Sequence, residues 1–566
     1  MLGFLPRPPA APEQTKAPLL QPSRLVLIAT LVLLALCASA SSLQNGFAYD
    51  DVFIIRDNPQ VHSLTGLGFD FVQGYWPREH GGALYRPLTL VAFSLQWAIG
   101  QGAPCVFHTV NVALYVALTL LIFGLALQFL PLAGAWTAAA IFAVHPVHVE
   151  AVGNVVGQAE LTTALVVCLG LWLYARVRRR PELTVRDSVG LFLPLATAAL
   201  CKENGIILLG LLVVAELTII QDRRPWRPRV VALLPTYLLL GLAAALVMIA
   251  RRAALGAAVG EYPALVLRGL GLRDRCLTML GIVPEWVRLF LWPAHLRADY
   301  GPAEFVETMQ FGGQQALGLA LVVVAVATAI AAARRRPALT FGIGWTVIAL
   351  VPVSNILLPT GILVAERTLL LPSVGVSLAA GAVAAAAWRR LQAGQRALRW
   401  AVAGGLGLLL AVGVLRSAAR QRTWQDMPSV VTQLVQDAPL NYRGWLMYGA
   451  QMRELGRGAD ARKAMVRAAS LYQQDGGVYQ ELGQLVWFQG GCRSAAPLFR
   501  RSLAVDPGLT NARTSLYACL LKLGDTTEAV NLAAEGAKRG QWFFQLVMAR
   551  ARQPQAERGD SASASR

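Results

Sequence analysis

Apolar positions along this chain follow two patterns that meet near Arg416. Before that point, apolar runs recur, many of about 18 residues or more and long enough to cross roughly 30 Å of hydrocarbon. They predict helices at 25–43, 106–130, 132–149, 160–176, 188–201, 204–220, 230–250, 314–333, 338–352, 368–388 and 400–416, which makes about 11 spans. Between the first two lies a long polar loop, 44–105, which opens FAYDDVFIIRDNP and runs on into ALYRPLTL. Segment 276–292 is apolar but carries Pro284, Glu285 and Arg288, so it reads as a re-entrant or interfacial piece. Beyond Arg416 the pattern is mixed and helical, and from Asn441 onward it repeats. Gly456, Gly490 and Gly524 are spaced by 34, as are Ala461, Ala495 and Ala529, and Gly449 and Gly483 share the step. Pro507 closes the second unit. A period of 34 with small residues at helix crossings is the signature of TPR repeats, one helical hairpin per unit.

The expected architecture is therefore all-α, a polytopic membrane helix bundle followed by a TPR α-solenoid. Residues 24–420 form the membrane domain, with loop 44–105 external, and 421–540 form about three TPR repeats. Residues 1–23, Pro-rich and cytoplasmic, and the tail 541–566 read as disordered. The run 25–43 is either the first span or a signal peptide, since ALCASASS offers a cleavage region; its length favours an uncleaved anchor.

Composition supports a membrane protein: 566 residues with 55% hydrophobic and 15% charged content exclude one soluble domain. A net charge of +19 raises nucleic acid as a partner. However, much of the arginine excess sits in short clusters between apolar runs (Arg176 with 178–180; Arg223, Arg224, Arg227, Arg229; 334–336; Arg389, Arg390, Arg396, Arg399). That is the positive-inside pattern, and with no zinc-finger or RNA-reading signature nucleic acid is set aside. The seven cysteines show no CxxC spacing, against structural zinc or a disulfide framework, although Cys105 and Cys276 share the outer face.

Counting from a cytoplasmic N-terminus puts all four arginine clusters inside and the C-terminal domain outside. The same parity places Asp50, Asp51, His145, His148, Glu150, Glu160, Lys202, Glu203, Arg251, Arg252, Asp299, Glu366 and Arg367 on the external face. Ionisable groups gathered at one membrane face suggest an active site assembled from short loops. One reaction that needs acids and cations there is glycosyl transfer from a polyprenyl-phosphate sugar. A carboxylate draws a proton from the acceptor hydroxyl, and fixed positive charge stabilises the departing phosphate. Asp50 or Asp51 fits the base; Arg86, Lys202, Arg252 and Arg367 fit the phosphate contacts.

Plainer roles stand beside these. An Asp-Asp pair can simply open a solvated loop, Lys202-Glu203 and Glu366-Arg367 can be structural ion pairs, and Asp299 can begin a turn. Tyr85-Arg86-Pro87 suits an interfacial anchor. His145 and His148 have metal-like spacing, but Pro146 breaks the register, so hydrogen bonding at a helix end is preferred and no metal is expected.

The segments DDVFIIRDNP, YRPLT, FHTVNV, HPVHVEAV, KENGI, WPAHLRADY, PVSNILLPTG and AERTLLLPSVG, in that order before a TPR array, resemble the transmembrane-and-TPR O-mannosyltransferases. These are GT-C-class membrane glycosyltransferases related to the protein O-mannosyltransferases. The resemblance covers most of 45–540. It implies a GT-C-like fold and inverting transfer of a hexose, typically mannose, from polyprenyl phosphate to Ser or Thr of an exported or lumenal protein, without metal or cofactor. Asp50-Asp51 would be the acidic motif, the first carboxylate preferred as base; Arg86, His145, His148, Glu150, Lys202, Glu203, Arg252, Glu366 and Arg367 are the donor-site candidates. The TPR groove would hold the acceptor. Gln158 stands where similar sequences usually carry Arg, Leu370 replaces an aromatic residue, and the array is short for this family. Two other readings remain: sugar transfer to a glycolipid or polysaccharide, and a non-catalytic TPR membrane scaffold. The compact array and Ala/Arg-rich composition favour a bacterial inner membrane with the site periplasmic, the endoplasmic reticulum being the alternative.

Overall fold

Each predicted apolar run becomes helix, and polar residues interrupt the helices mainly at one end of the bundle. The computed structural model describes residues 23–77, 84–180, 182–257, 264–302, 304–305, 308–391 and 395–552, and no strand occurs among them. Most of the expected disorder, at 1–23 and 541–566, lies outside the described residues.

The membrane half comprises α1 (Arg24–Ser39), α2 (Pro87–Gly100), α3 (Pro104–Ala126), α4 (Leu132–Val144), α5 (Val149–Gly153), α6 (Gln158–Val177), α7 (Val185–Cys201) and α8 (Leu208–Thr218). It continues with α9 (Trp226–Leu255), α10 (Leu272–Leu291), α11 (Gly313–Ala332), α12 (Pro337–Leu350), α13 (Leu370–Arg390) and α14 (Arg396–Gln421). Among the described residues, seven helical stretches are long and apolar enough to cross a membrane; the α4–α5 region, bent by 51°, makes an eighth if counted as one span. Of the predicted spans, α7, α8 and α12, at 17, 11 and 14 residues, occupy their predicted positions as helices shorter than that length. Breaks at His145, at 202–207 and at 351–353 cut the apolar runs, and a count of runs alone does not register where a helix stops.

Close helix approach depends on small residues. A Cβ on Gly375 would sit 2.5 Å from the Gly342 carbonyl oxygen, and one on Gly381 would sit 2.4 Å from that of Gly134, so α13 packs backbone to backbone against α12 and α4. This is the packing expected where lipid offers no hydrophobic drive between helices. Around it Tyr115, Phe142, Trp345 and Leu371 fill the core. The segment read as re-entrant is α10, a helix with a one-sided apolar face (Met279, Ile282, Trp286, Leu289) packed on Val147, Tyr300 and Leu363. It is not among the helices apolar enough to cross.

Loop 44–105 is more structured than predicted. It holds short helical turns and then α2, a 14-residue apolar helix started by Pro87 and ended by Gln101 and Gly102, both at positive φ. At 14 residues its apolar run is too short to register as a span.

From α14 the chain passes through the turn Arg422–Trp424 into α15 (Met427–Asp437). Then come α16 (Tyr442–Glu454), α17 (Gly458–Leu471), α18 (Gly476–Val505), α19 (Thr510–Leu523), α20 (Thr526–Lys538) and α21 (Trp542–Arg552). α18 is two helices joined at Gly491, so 442–538 forms three hairpins at the 34-residue step. The repeat residues do what their spacing implies. Ala461, Ala495 and Ala529 are fully buried, and a Cβ on Gly449 or Gly483 would press on Met465 or Phe499. Gly456 and Gly524 take left-handed φ at the hairpin turns, but in the second unit that residue is Gly491, not Gly490. The expected disorder from 541 is corrected too: Phe544 is buried against Gly536, giving α21 an apolar reason to fold back.

Candidate active site

Two adjacent carboxylates emerge just beyond α1 and go to different partners. Tyr49, at φ 55°, turns the backbone ahead of them; its ring meets Trp424 edge-on at 6.1 Å, beside Ala48, Val149 and Leu434. A non-glycine residue persists in that conformation where its surroundings hold it. Asp51 is sealed from solvent and accepts backbone N–H bonds from Val156 (2.8 Å), Val155 (3.0 Å) and Ala48 (3.4 Å). Burial pushes its carboxyl up to about 7, against the pull of those three amides. Asp50 keeps 15% of its side chain exposed, and its Oδ2 lies 3.1 Å from Nη2 of Arg367.

Glu366-Arg367 divides in the same way. Arg367 sits between two acids: Nη1 reaches Oε1 of Glu150 at 3.1 Å, and its backbone N–H donates to Oε2 of Glu150 at 2.8 Å. Glu366 turns away, accepting the Arg297 N–H at 2.5 Å and the Tyr300 hydroxyl at 2.8 Å. It therefore fixes the loop that carries Asp299.

A second group of charges lies nearby. Arg86 makes a forked pair with Glu203 at 2.7 and 3.1 Å and lies 5.0 Å over the ring of Tyr75. Lys202 pairs with Glu160, both buried. Gln158, where the resemblance expects Arg, accepts from the Gln96 amide at 3.1 Å instead of adding a charge. Tyr75 is buried, its hydroxyl has no hydrogen-bond partner among the described residues, and the charges of Arg86, Asp50, Asp51 and Arg367 all reach it.

The histidines brace the helix break. His145 Nε2 contacts the Phe290 carbonyl oxygen at 2.9 Å, and its Nδ1 accepts the Val147 N–H at 3.3 Å. His148 lies between the Tyr115 hydroxyl (2.9 Å) and the Ser373 hydroxyl (2.7 Å), so both of its ring nitrogens are engaged. Arg252 does not join the group. It is exposed in the last turn of α9, and no described contact links it to these residues. Its place in the expected phosphate clamp is thus corrected; helix-end position alone does not specify where a side chain lands. Cys105 and Cys276 remain free thiols.

Three residues that sequence reading left out matter here: Tyr49, Tyr75 and Arg443. Arg443, on α16, forms a forked pair with Asp299 at 2.8 and 3.0 Å, and Asn441 donates to the same carboxylate at 2.8 Å. Two isolated tyrosines and a lone arginine give no periodic signal, so only the fold brings them together.

Chemically, the arrangement offers a solvent-reachable carboxylate, Asp50, next to a guanidinium with further N–H donors. The cations Arg86, Lys202 and Arg367 are all paired with acids. An entering phosphate would share or displace those acids.

No family model matches the chain. The chain is 24% identical over 534 residues to Protein O-mannosyl-transferase TMTC3 of Mus musculus, covering 87% of this chain and 56% of that protein. It is 25% identical over 522 residues to Protein O-mannosyl-transferase Tmtc3 of Drosophila melanogaster, covering 78% and 55%. The motif-based resemblance to the transmembrane-and-TPR O-mannosyltransferases therefore holds across most of the chain, which spans a little over half the length of these two relatives. Among solved structures, an oligosaccharyltransferase from Archaeoglobus fulgidus, crystallised with a tethered acceptor peptide, aligns at a TM-score of 0.42 and 13% identity over 75% of this chain and 58% of that one.

Proposed function

We propose that this multi-pass membrane protein is a glycosyltransferase that moves a hexose, mannose in the first instance, from a polyprenyl-phosphate donor to Ser or Thr of an exported or lumenal protein. The observation that carries the reading is the split between the twin acids: Asp50 is half-buried beside Arg367 with part of its carboxylate reachable, and Asp51 is sealed into the backbone. Asp50 takes the acceptor hydroxyl proton as that oxygen attacks the anomeric carbon. The sugar–phosphate bond breaks on the opposite face, which gives inversion. Arg367, with Arg86 and Lys202 behind it, offsets the charge left on the lipid phosphate. Phosphate leaves readily, so no acid need protonate it. Glu150 orients Arg367 through two hydrogen bonds, and the C-terminal hairpins present the acceptor polypeptide.

Purified chain in lipid nanodiscs, given polyprenyl-phosphate mannose and Ser/Thr peptides, tests this. Peptide-linked mannose of inverted anomeric configuration is the expected product. Transfer to a glycolipid with none to peptide would instead favour the alternative acceptor, and no transfer to either would favour a scaffold.

A further inference from the structure

At the opposite end of the bundle, the loops after α6 and α8 line an open cavity of about 460 Å³ walled by Arg178, Arg179, Arg180, Arg223 and Arg224, with Gln221 and Asp222. Orientation in a membrane requires only that basic residues be present in a loop, not that they be built into a frame. Here they are. Arg178, 1% exposed, is clamped by Glu216 (2.6 Å) and Asp222 (2.7 Å) and donates to the Arg180 carbonyl oxygen (2.9 Å). Arg224 pairs with Asp222 at 2.7 Å, and Arg229 pairs with Glu216. Those two acids hold the arginines that shape the wall. The arginines at the mouth are less committed: among the described residues, Arg179 meets only a neutral amide, Gln128, at 2.7 Å, and exposed Arg223 has no partner. The 30-residue helix α9 begins three residues after Arg223, so its positive N-terminal end lies beside the cavity. Trp226 at that helix start is 70% exposed with Arg227 5.4 Å over its ring, a placement that suits the headgroup layer.

We infer that this cavity binds a phosphate group, carried by an anionic lipid headgroup or by a small soluble phosphate, on the side of the membrane away from the carboxylate site. The buried arginines set the geometry, and Arg179 and Arg223 supply charge to the ligand. The site stands apart from the proposed sugar transfer and does not depend on it.

Full-length chain reconstituted in phosphatidylcholine nanodiscs tests the inference. In one arm phosphatidylglycerol is titrated and retained lipid is counted by native mass spectrometry; in the other, inorganic phosphate is titrated and thermal protection is followed. The double variant Arg179→Gln/Arg223→Gln is compared with Arg334→Gln/Arg335→Gln, which removes two exposed arginines of another cluster. Binding weakened roughly tenfold or more in the first variant, but not in the second, supports the site. The arm in which the loss occurs identifies lipid or free phosphate as the source. Equal loss in both variants, or none in the first while its melting in neutral lipid matches wild type, overturns it.

Discussion

Asp50 and Asp51 are adjacent and chemically identical, so their difference comes wholly from what folds around them. Substitution should separate them. Asp50→Asn is expected to leave melting unchanged while turnover falls by about two to four orders of magnitude, the scale of a lost general base. Asp51→Asn turns an amide N–H group toward backbone donors and should cost about 1–3 kcal/mol of stability, read by thermal shift or yield of folded protein. A melting loss in the first variant equal to that in the second would merge the two roles. The acidic motif was legible in the sequence. Which acid faces solvent was not, because the amides that claim Asp51 belong to Val155 and Val156, over 100 residues away. His145 and His148 were legible as helix-end hydrogen-bonding residues, since Pro146 broke the metal register; their partners Phe290 and Ser373 were not.

The short turns between helices carry the site, and two glycines set their shape. A Cβ on Gly157 would sit 2.2 Å from the Ala151 carbonyl oxygen, and one on Gly205 would sit 2.2 Å from the Ala198 carbonyl carbon. Gly205→Ala is therefore expected to displace the turn that carries Lys202 and Glu203. The cost should be about 1–3 kcal/mol in melting, with activity falling further than stability alone explains. Unchanged melting would mean that this turn has room to relax. At this scale hydrophobic length predicted where helices lie, and the 34-residue step predicted the hairpins. What escaped were α2 and α21, too short to stand out as apolar runs, and the breaks that shorten α7, α8 and α12. A helix end here is decided by whether a polar residue finds a partner across the bundle, as Lys202 does in Glu160.

Across the whole molecule, the hairpin array is tied to the membrane domain close to the acids. Asp299 and Arg443 join the two halves, Arg420 and Asp437 pair at 2.5 Å, and Tyr49 lies against Trp424 beside Asp50. A double-mutant cycle of Asp299→Asn and Arg443→Gln should show coupling on the order of 1 kcal/mol, modest because the Arg443 side chain is 34% exposed. If the array presents the acceptor, Arg443→Gln should raise KM for peptide more than it lowers kcat. The sequence announced two halves but not their joint, because a single arginine on a repeat helix looks like any solvated charge. The central claim is that Asp50 is the base of a sugar transfer to protein. Its most direct measurement is peptide mass spectrometry of exported proteins from cells making wild-type or Asp50→Asn chain at equal membrane levels. The account predicts hexose on Ser and Thr peptides with wild type and its loss with the variant; hexose persisting at the wild-type level would contradict it.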